Sequence, residues 1–541
     1  MFLRLVASAF GAVAAYTTYY ILQALYSEFI SPFQYLRGPP SKHWFYGNMK
    51  EFIDDEDSGL EERWFREYGR TSKFHWFLSR TALHTSDTKA MHHVLTNTHI
   101  YQKDEISRFS LGRIVGPGAS SSWKTTSISN RFRKIMNPAF GVLQVRELTE
   151  IFVDKSIQLQ NIWAAQAAKS DNGVARVEVL SWLSKATLDI IGLAGFNYKI
   201  NALGAEEGAA PNELAHAFES LFAGESGFSL LRFLQDRSRI FRNIPFKRDK
   251  VILAAQTTMK RIGRELLADS KREIAEQGTF AGTGRARDLL SLLVKANTEK
   301  DLPANQRLSD EDVIAQVPTF LVAGHETTST AVAWALFALT QKPDVQTRLR
   351  EELLGASTDR PTMDELNALP YLDCVVRETL RLYAPVQATS RIALRDDVLP
   401  LADPVMDTRG IVHESLRFRK GEMILIPIAA MNRDTELWGP DAMEFVPERW
   451  DAPIPGASSI PGIWGHMLTF LGGPRSCIGF RFALVEMKAL LFTLLRAFEF
   501  ELAVPIEEMG KQGTAIVQRP IVITDRGAGN QLPLLVKSVA R

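Results

Sequence analysis

A mainly α fold with small β-sheets is what this sequence predicts, from three observations. Seven long segments carry apolar residues at helical spacing, and only two short runs read as strands. No Pro/Gly/Ser-rich linker or charge block divides the 541 residues into halves, so one large domain after a short leading segment is the simplest organisation. The chain has 63 Lys and Arg against 62 Asp and Glu, a net charge of +1, and nothing in that balance calls for a nucleic-acid partner. Its two cysteines, Cys374 and Cys477, exclude a disulfide framework and suit a reducing compartment. The chain contains no Asn-x-Ser/Thr sequon.

Taken in order, residues 5–25 carry no charge and are long enough to cross a bilayer as a helix. Tyr16, Tyr19, Tyr20 and Tyr26 sit toward its end, as interfacial aromatics do. A cleaved signal is the rival, with Arg4 as its charged start and Ala12-Val13-Ala14 as a cleavage site. The length of the run and the cysteine-poor remainder favour a retained anchor over 1–30, followed by a catalytic domain over 31–541. Arg37-Gly38-Pro39-Pro40 then stiffens the link, and Arg37 with Lys42 points to a cytosolic domain. Helices are predicted at 145–167, 179–195, 212–233, 250–276, 309–341, 345–354 and 371–383. Strands are predicted at 423–428 and 521–524, and 202–211 reads as a loop. Residues 228–246 mix phenylalanines with arginines and read as a helix pair over the core, a second membrane contact being the alternative.

Three constellations carry chemistry. Residues 470–479, Phe-Leu-Gly-Gly-Pro-Arg-Ser-Cys-Ile-Gly, present Cys477 in a glycine-bracketed loop that runs into a helix. Gly473 and Gly479 let the backbone turn tightly against a flat cofactor, and Arg475 can neutralise an acid group on it. The helix beginning at Phe480 would lower the thiol pKa through its free N–H groups and dipole, which makes the loop a cradle for an iron-bound thiolate. A structural cysteine beside a glycine turn is the plainer reading. Inside the apolar segment 309–341, Ala323-Gly324-His325-Glu326-Thr327-Thr328 places an acid beside a hydroxyl, a pair able to pass protons in a dry pocket. Thr327 bonding its own helix backbone is the bland alternative. His325-Glu326 begins like the zinc motif His-Glu-x-x-His, but Ser329 stands where the second ligand belongs. Finally, Glu378 and Arg381 put an acid and a base three residues apart on one helix face.

The cysteine loop resembles the haem-thiolate monooxygenases, the cytochrome P-450 family, whose pattern is Phe-x-x-Gly-x-Arg-x-Cys-x-Gly. Phe470, Gly473, Arg475, Cys477 and Gly479 match all five positions, a coincidence expected about once in ten thousand such chains. Leu471 departs from it, standing where the family usually has Gly or Ser. The resemblance implies a cytochrome P-450 fold with an N-terminal transmembrane helix, and heme b (iron protoporphyrin IX) held by Cys477 as axial iron ligand. It implies that Gly324 leaves room for dioxygen and that Glu326 and Thr327 relay protons. Glu378, Arg381 and the Arg449 of Pro447-Glu448-Arg449-Trp450 become a buried ion network bracing the haem side. Arg133 and Arg391 become propionate partners, although the family's usual Trp or His four residues before the first is here Ser129, with Trp123 six residues too early. Phe320, Ala323, Val386, Ala388 and the loop 514–516 should face a lipophilic substrate.

No Gly-x-Gly-x-x-Gly follows a strand and no flavin domain follows Cys477, so a separate reductase must supply electrons. By resemblance to fungal microsomal members this is the NADPH-dependent cytochrome P-450 reductase, with Arg131, Arg133, Lys134 and Lys488 as basic contacts. The expected activity is hydroxylation or other oxidation of a lipophilic small molecule with O2, at the endoplasmic reticulum membrane with the catalytic domain facing the cytosol. A terpenoid or other secondary metabolite is the first substrate class and a fatty acid the second. A redox-independent isomerase and a non-catalytic membrane haem protein are the alternatives. The first tends to lose the acid–alcohol pair that Glu326 and Thr327 keep.

Overall fold

The computed structural model describes residues 29–55, 59–115, 126–170, 172–204, 212–222, 247–277, 288–298, 307–514 and 516–539, with a few isolated positions elsewhere. The chain forms two compact units built from interleaved segments. The first gathers Met1–Lys103, Gln387–Ala442 and Pro455–Arg475; the second gathers Asp104–Val386, Met443–Ile454 and Ser476–Arg541.

The first unit is organised on a five-stranded sheet in the order Thr71–His75, Thr81–Thr85, Met423–Ile426, Thr389–Ala393, Tyr101–Gln102. Its one parallel pairing sets Leu83 opposite Ile424 and His84 opposite Leu425; the others are antiparallel. Leu60, Trp64, Phe74, Ala82 and Leu425 form an apolar cluster on it, with Phe52, Trp76 and Ala388 packed around. The predicted strand 423–428 stops at Ile426 because Pro427 starts the short helix Ile428–Asn432. A separate hairpin, Asp397–Met406 with Val412–Phe418, was not predicted. Pro400, Pro404 and two aspartates break its alternation, and the register slips between Pro400 and Val405, where an edge strand tolerates proline.

The second unit holds most of the predicted helices: Val142–Ala168, Val179–Phe196, Lys247–Gln277, Pro343–Leu354 and Pro370–Leu382. The predicted helix 212–233 is described as Glu213–Phe222, and most of 228–246 lies outside the described residues, as do 205–211. The predicted helix 309–341 is two helices, Asp310–Ile314 with a Ser309 capping box and a central helix Gln316–Thr340. Pro318 explains the break, since it has no N–H to give the Ile314 carbonyl. The central helix is apolar on nearly every side and buried accordingly. Two small sheets complete the unit: a three-stranded one in the order Val174–Glu178, Pro533–Ser538, Phe498–Leu502, and a hairpin of Met509–Gly513 with Gln518–Val522. The predicted strand 521–524 thus begins earlier and yields at Ile523 to a 3-10 turn.

The anchor predicted over 5–25 falls, isolated positions aside, outside the described residues. Among the described residues one helix, Val179–Phe196, is long and apolar enough to cross a membrane, but 72% of it is buried in the protein, as a core helix would be.

Candidate active site

The cysteine loop is shaped by backbone conformation before side chains enter. Gly473 sits at φ +68°, and a β-carbon there would run into the Leu95 carbonyl oxygen. Gly472, which the motif leaves unspecified, is equally confined, by the Pro461 carbonyl. Leu471 is also left-handed, at φ 56°, a conformation that disfavours any residue with a β-carbon. That is the physical meaning of its departure from the family pattern. Gly479 differs from expectation: its φ of −90° is ordinary, and a β-carbon would come only to 3.6 Å from Phe140. Phe470 is buried edge-on against Trp464, at 5.8 Å between ring centres, and Arg475 is half-buried in the turn Gly473–Arg475. Arg391, also in the first unit, is buried on the strand Thr389–Ala393 and donates to Thr389 Oγ1 at 3.0 Å and the Ser390 carbonyl at 2.7 Å.

Cys477 opens the second unit's part of the loop, just before the helix Phe480–Ala497. Its side chain is accessible to solvent, yet it lies deep enough that desolvation pushes the thiol pKa up. The Gly479 N–H and the Arg133 charge pull the other way but do not overcome burial, so the net lowering expected from the helix start is not met. Arg133 projects from the helix Thr126–Met136 and donates to the Ser476 carbonyl, which places its guanidinium beside the sulfur. Burial lowers the Arg133 pKa, and Cys477 partly restores it. Ser129 belongs to the same helix, and its side chain lies outside the description.

The central helix carries the second constellation. Ala323 is exposed in the middle of this otherwise buried helix, with Thr319 and Thr327 partly exposed four residues to either side. This face therefore looks onto open space. The Thr327 hydroxyl donates to the Ala323 carbonyl at 2.7 Å, so the bland backbone bond is present. Its lone pairs stay available to accept. Gly324 does not provide the opening: its absent β-carbon would stand 2.8 Å from Ile191 of the helix Val179–Phe196, so glycine here permits close helix packing. Glu326, 4% exposed, pairs with Arg519 from the strand Gln518–Val522. Burial raises the Glu326 pKa above the usual carboxylate value, and Arg519 opposes this only in part. His325 is neutral, its pKa pushed down to about 3 chiefly by burial; its Nε2 is 2.6 Å from Ser184 Oγ and its Nδ1 3.6 Å from Glu326. Phe320 packs edge-on against Phe140 at 5.7 Å, Val386 is partly buried, and Ala388 joins the first unit's aromatic cluster. At 514–516 Thr514 is exposed and Ile516 partly buried, while Ala515 lies outside the description.

The ion network is assembled as expected and is larger than the motif. Arg381 grips Glu378 bidentately, Nε to Oε2 at 2.8 Å and Nη2 to Oε1 at 2.7 Å, with neither side chain exposed. Arg449 Nε approaches Glu378 Oε1 at 3.4 Å. Sequence reasoning missed that the Trp450 indole N–H donates to Glu378 Oε2 at 3.0 Å and the Val446 N–H to Oε1 at 3.0 Å. Four partners thus compensate a fully desolvated carboxylate, which is what makes such a group tolerable. Also missed was Glu486, fully buried on the cysteine helix with neither oxygen in a hydrogen bond; burial holds its pKa well above the usual range, and the Thr328 hydroxyl only partly opposes this. Nothing in the sequence separates it from surface glutamates except its apolar neighbours.

The proposed basic contacts fare unevenly. Lys488 is buried, tied to Asp373 at 2.8 Å and Asn367 at 3.0 Å, and cannot meet a partner. Arg133 is committed to the Ser476 carbonyl and Arg131 stands 3.8 Å from Asp312, which leaves Lys134 as the exposed member.

An accessible thiol at depth, a guanidinium beside it and an open face on a buried helix fit a haem bound through sulfur. The comparisons agree. The cytochrome P450 family profile matches residues 37–523. Cytochrome P450 monooxygenase 205 of Postia placenta is 50% identical over 511 residues, 94% of this chain and 93% of the relative. Cytochrome P450 monooxygenase 128 of the same fungus is 49% identical over 541 residues, 99% and 98% of the two chains. Cytochrome P450 monooxygenase claW of Ampulloclitocybe clavipes is 35% identical over 515 residues, 93% and 92% of the two. With the cysteine loop, the acid–alcohol pair and the Glu–Arg–Arg network in place, the chain belongs to the cytochrome P450 family and is a haem-thiolate monooxygenase.

Proposed function

We propose that this monooxygenase is anchored by residues 1–30 in the endoplasmic reticulum membrane, with residues 31–541 forming a cytosolic catalytic domain. It takes NADPH-derived electrons from a separate cytochrome P450 reductase and oxidises a lipophilic small molecule of secondary metabolism, a terpenoid being the first candidate. The observation that carries this reading is the open face of the central helix, where Ala323 is exposed and Thr327 partly exposed, with buried Glu326 the residue before Thr327 in the chain.

Haem bound through the Cys477 thiolate supplies the activation of dioxygen. Arg133 places positive charge beside that sulfur, and its guanidinium has the chemistry to pair with a propionate, as do those of Arg391 and Arg475 within the first unit. Glu326 takes up a proton and passes it on; Thr327 receives it through a lone pair and gives its own proton onward. Phe320, Ala323 and Val386 of the second unit are apolar, which supports an apolar substrate. Of the four residues expected to meet a reductase, Lys134 is the one classed as exposed.

The experiment is a spectral-shift screen of lipophilic compounds against the purified enzyme, followed by NADPH consumption with and without reductase. Reductase-dependent consumption that yields one oxygenated product supports the reading. Rearrangement of a peroxide without reductase supports the isomerase alternative.

A further inference from the structure

We propose that Arg519 is the positioning residue that keeps Glu326 an ionised, fixed carboxylate between proton transfers. The inference rests on the reading of Glu326 as the proton-carrying acid.

Four observations carry it. Glu326 is 4% exposed, and Arg519 is its one charged partner among the described residues. An unpaired carboxylate at that depth would keep its proton rather than ionise, and would then have no room to accept another. Arg519 is presented by a strand fixed to the same helix that bears Glu326. The Trp334 indole N–H donates to the Gln518 carbonyl at 3.0 Å, and the Gln518 N–H donates to the Pro385 carbonyl at 2.9 Å. Trp334 is itself held by stacking on Tyr383, at 5.1 Å and 8° between planes. The Arg519 Nε is buried without an acceptor, so the guanidinium keeps its place through Glu326 and through the strand rather than through a wider network.

The other titratable groups do not substitute for it. His325 precedes Glu326 on the helix and is neutral. Glu178, at the end of Val174–Glu178, is a second carboxylate within the field of Arg519, but it accepts from the Leu180, Ser181 and Leu532 N–H groups and has its own compensation. Glu486, on the cysteine helix, faces Thr328. Arg519 is therefore the group that opposes burial at Glu326 and favours its charged form. In each cycle the carboxylate takes a proton from water and gives one to the Thr327 hydroxyl, and Arg519 favours the charged form to which it returns.

The test uses the full-length holoenzyme and the variants Arg519→Gln, Arg519→Lys and Glu326→Gln, with the carbon monoxide difference spectrum confirming that each is folded and loaded. Infrared titration reads the carbonyl stretch of protonated carboxylic acid. Arg519→Gln is expected to gain such a band at neutral pH, absent from Arg519→Lys and lost in Arg519→Gln/Glu326→Gln. Product formed per NADPH is then followed against pH. Its acid limb should move up by at least one pH unit in Arg519→Gln and stay put in Arg519→Lys. Trp334→Phe, which keeps the stacking but loses the bond to Gln518, should move the limb the same way by less. No new band and an unmoved limb in Arg519→Gln overturn the proposal. A new band with full coupling retained in Glu326→Gln would instead overturn the proton-carrying reading of Glu326 and leave its pairing with Arg519 standing.

Discussion

The Thr327 hydroxyl is bonded to the Ala323 carbonyl oxygen one helical turn back, at 2.7 Å, on a face of the central helix where Ala323 is exposed and Thr319 and Thr327 are partly exposed. The bond occupies the hydroxyl proton and leaves the oxygen free to accept, so the residue is set to receive a proton before giving one. Side-chain bonds of this kind add little to helix stability. Thr327→Ala should therefore change unfolding stability by less than about 0.5 kcal/mol. It should lower product per NADPH consumed by about tenfold or more, the scale of a lost proton donor. Thr327→Ser should stay near the parent. Equal coupling in the alanine variant would remove Thr327 from the relay.

Glu378 supports a different forecast. Removing it strands Arg381 and Arg449 without their counter-charge, and Glu378→Ala should cost about 3–5 kcal/mol and prevent haem incorporation. Trp450→Phe removes one hydrogen bond to the same carboxylate and should cost about 1–2 kcal/mol while haem is retained. Chemical denaturation with haem content measured at each point separates the two. An equal loss in both would mean that the indole is as essential as the charge.

Glu486 makes stability depend on pH. Its folded pKa is raised, so the folded protein holds a proton that the unfolded chain releases above about pH 4.3. Stability should fall as pH rises from there toward the folded value, by up to about 1.4 kcal/mol per pH unit. Glu486→Gln, which cannot ionise, should flatten that slope and be the more stable form at pH 8. A parallel pair of stability–pH curves would show that Glu486 is not desolvated as described.

The cysteine loop offers a contrast between two left-handed residues. Leu471→Gly relieves about 1–2 kcal/mol of left-handed strain and loses a half-buried side chain and some chain entropy, so its net effect should lie within about 1 kcal/mol of zero. Gly473→Ala adds both strain and a collision with the Leu95 carbonyl, and should abolish haem binding. Thermal unfolding and haem titration of the two variants check this. Haem retained in Gly473→Ala would show that the loop can shift.

What could be read from the sequence was chemistry concentrated in short motifs and helices with strong apolar periodicity. Glu378 and Arg381 pair as their spacing predicts because that motif is local, three residues on one helix. Partners brought by distant segments were not readable. Arg519 reaches Glu326 from 193 residues away and Trp450 reaches Glu378 from 72, and no spacing rule connects them. Lys488 misled for a related reason: a lysine on an amphipathic pattern looks exposed until Asp373 of another helix is placed against it. Gly324 misled because a missing side chain marks a close approach without saying to what. The hairpin 397–418 was hidden by its prolines, which an edge strand accepts.

Whether Cys477 binds haem iron as a thiolate is read from the difference spectrum of the reduced protein with carbon monoxide, recorded for the parent and for Cys477→Ser. The red-shifted Soret band of a thiolate-bound haem is expected in the parent and should be lost in the variant. A folded, haem-loaded parent without that band, or a Cys477→Ser protein that keeps it, would remove Cys477 as the iron ligand.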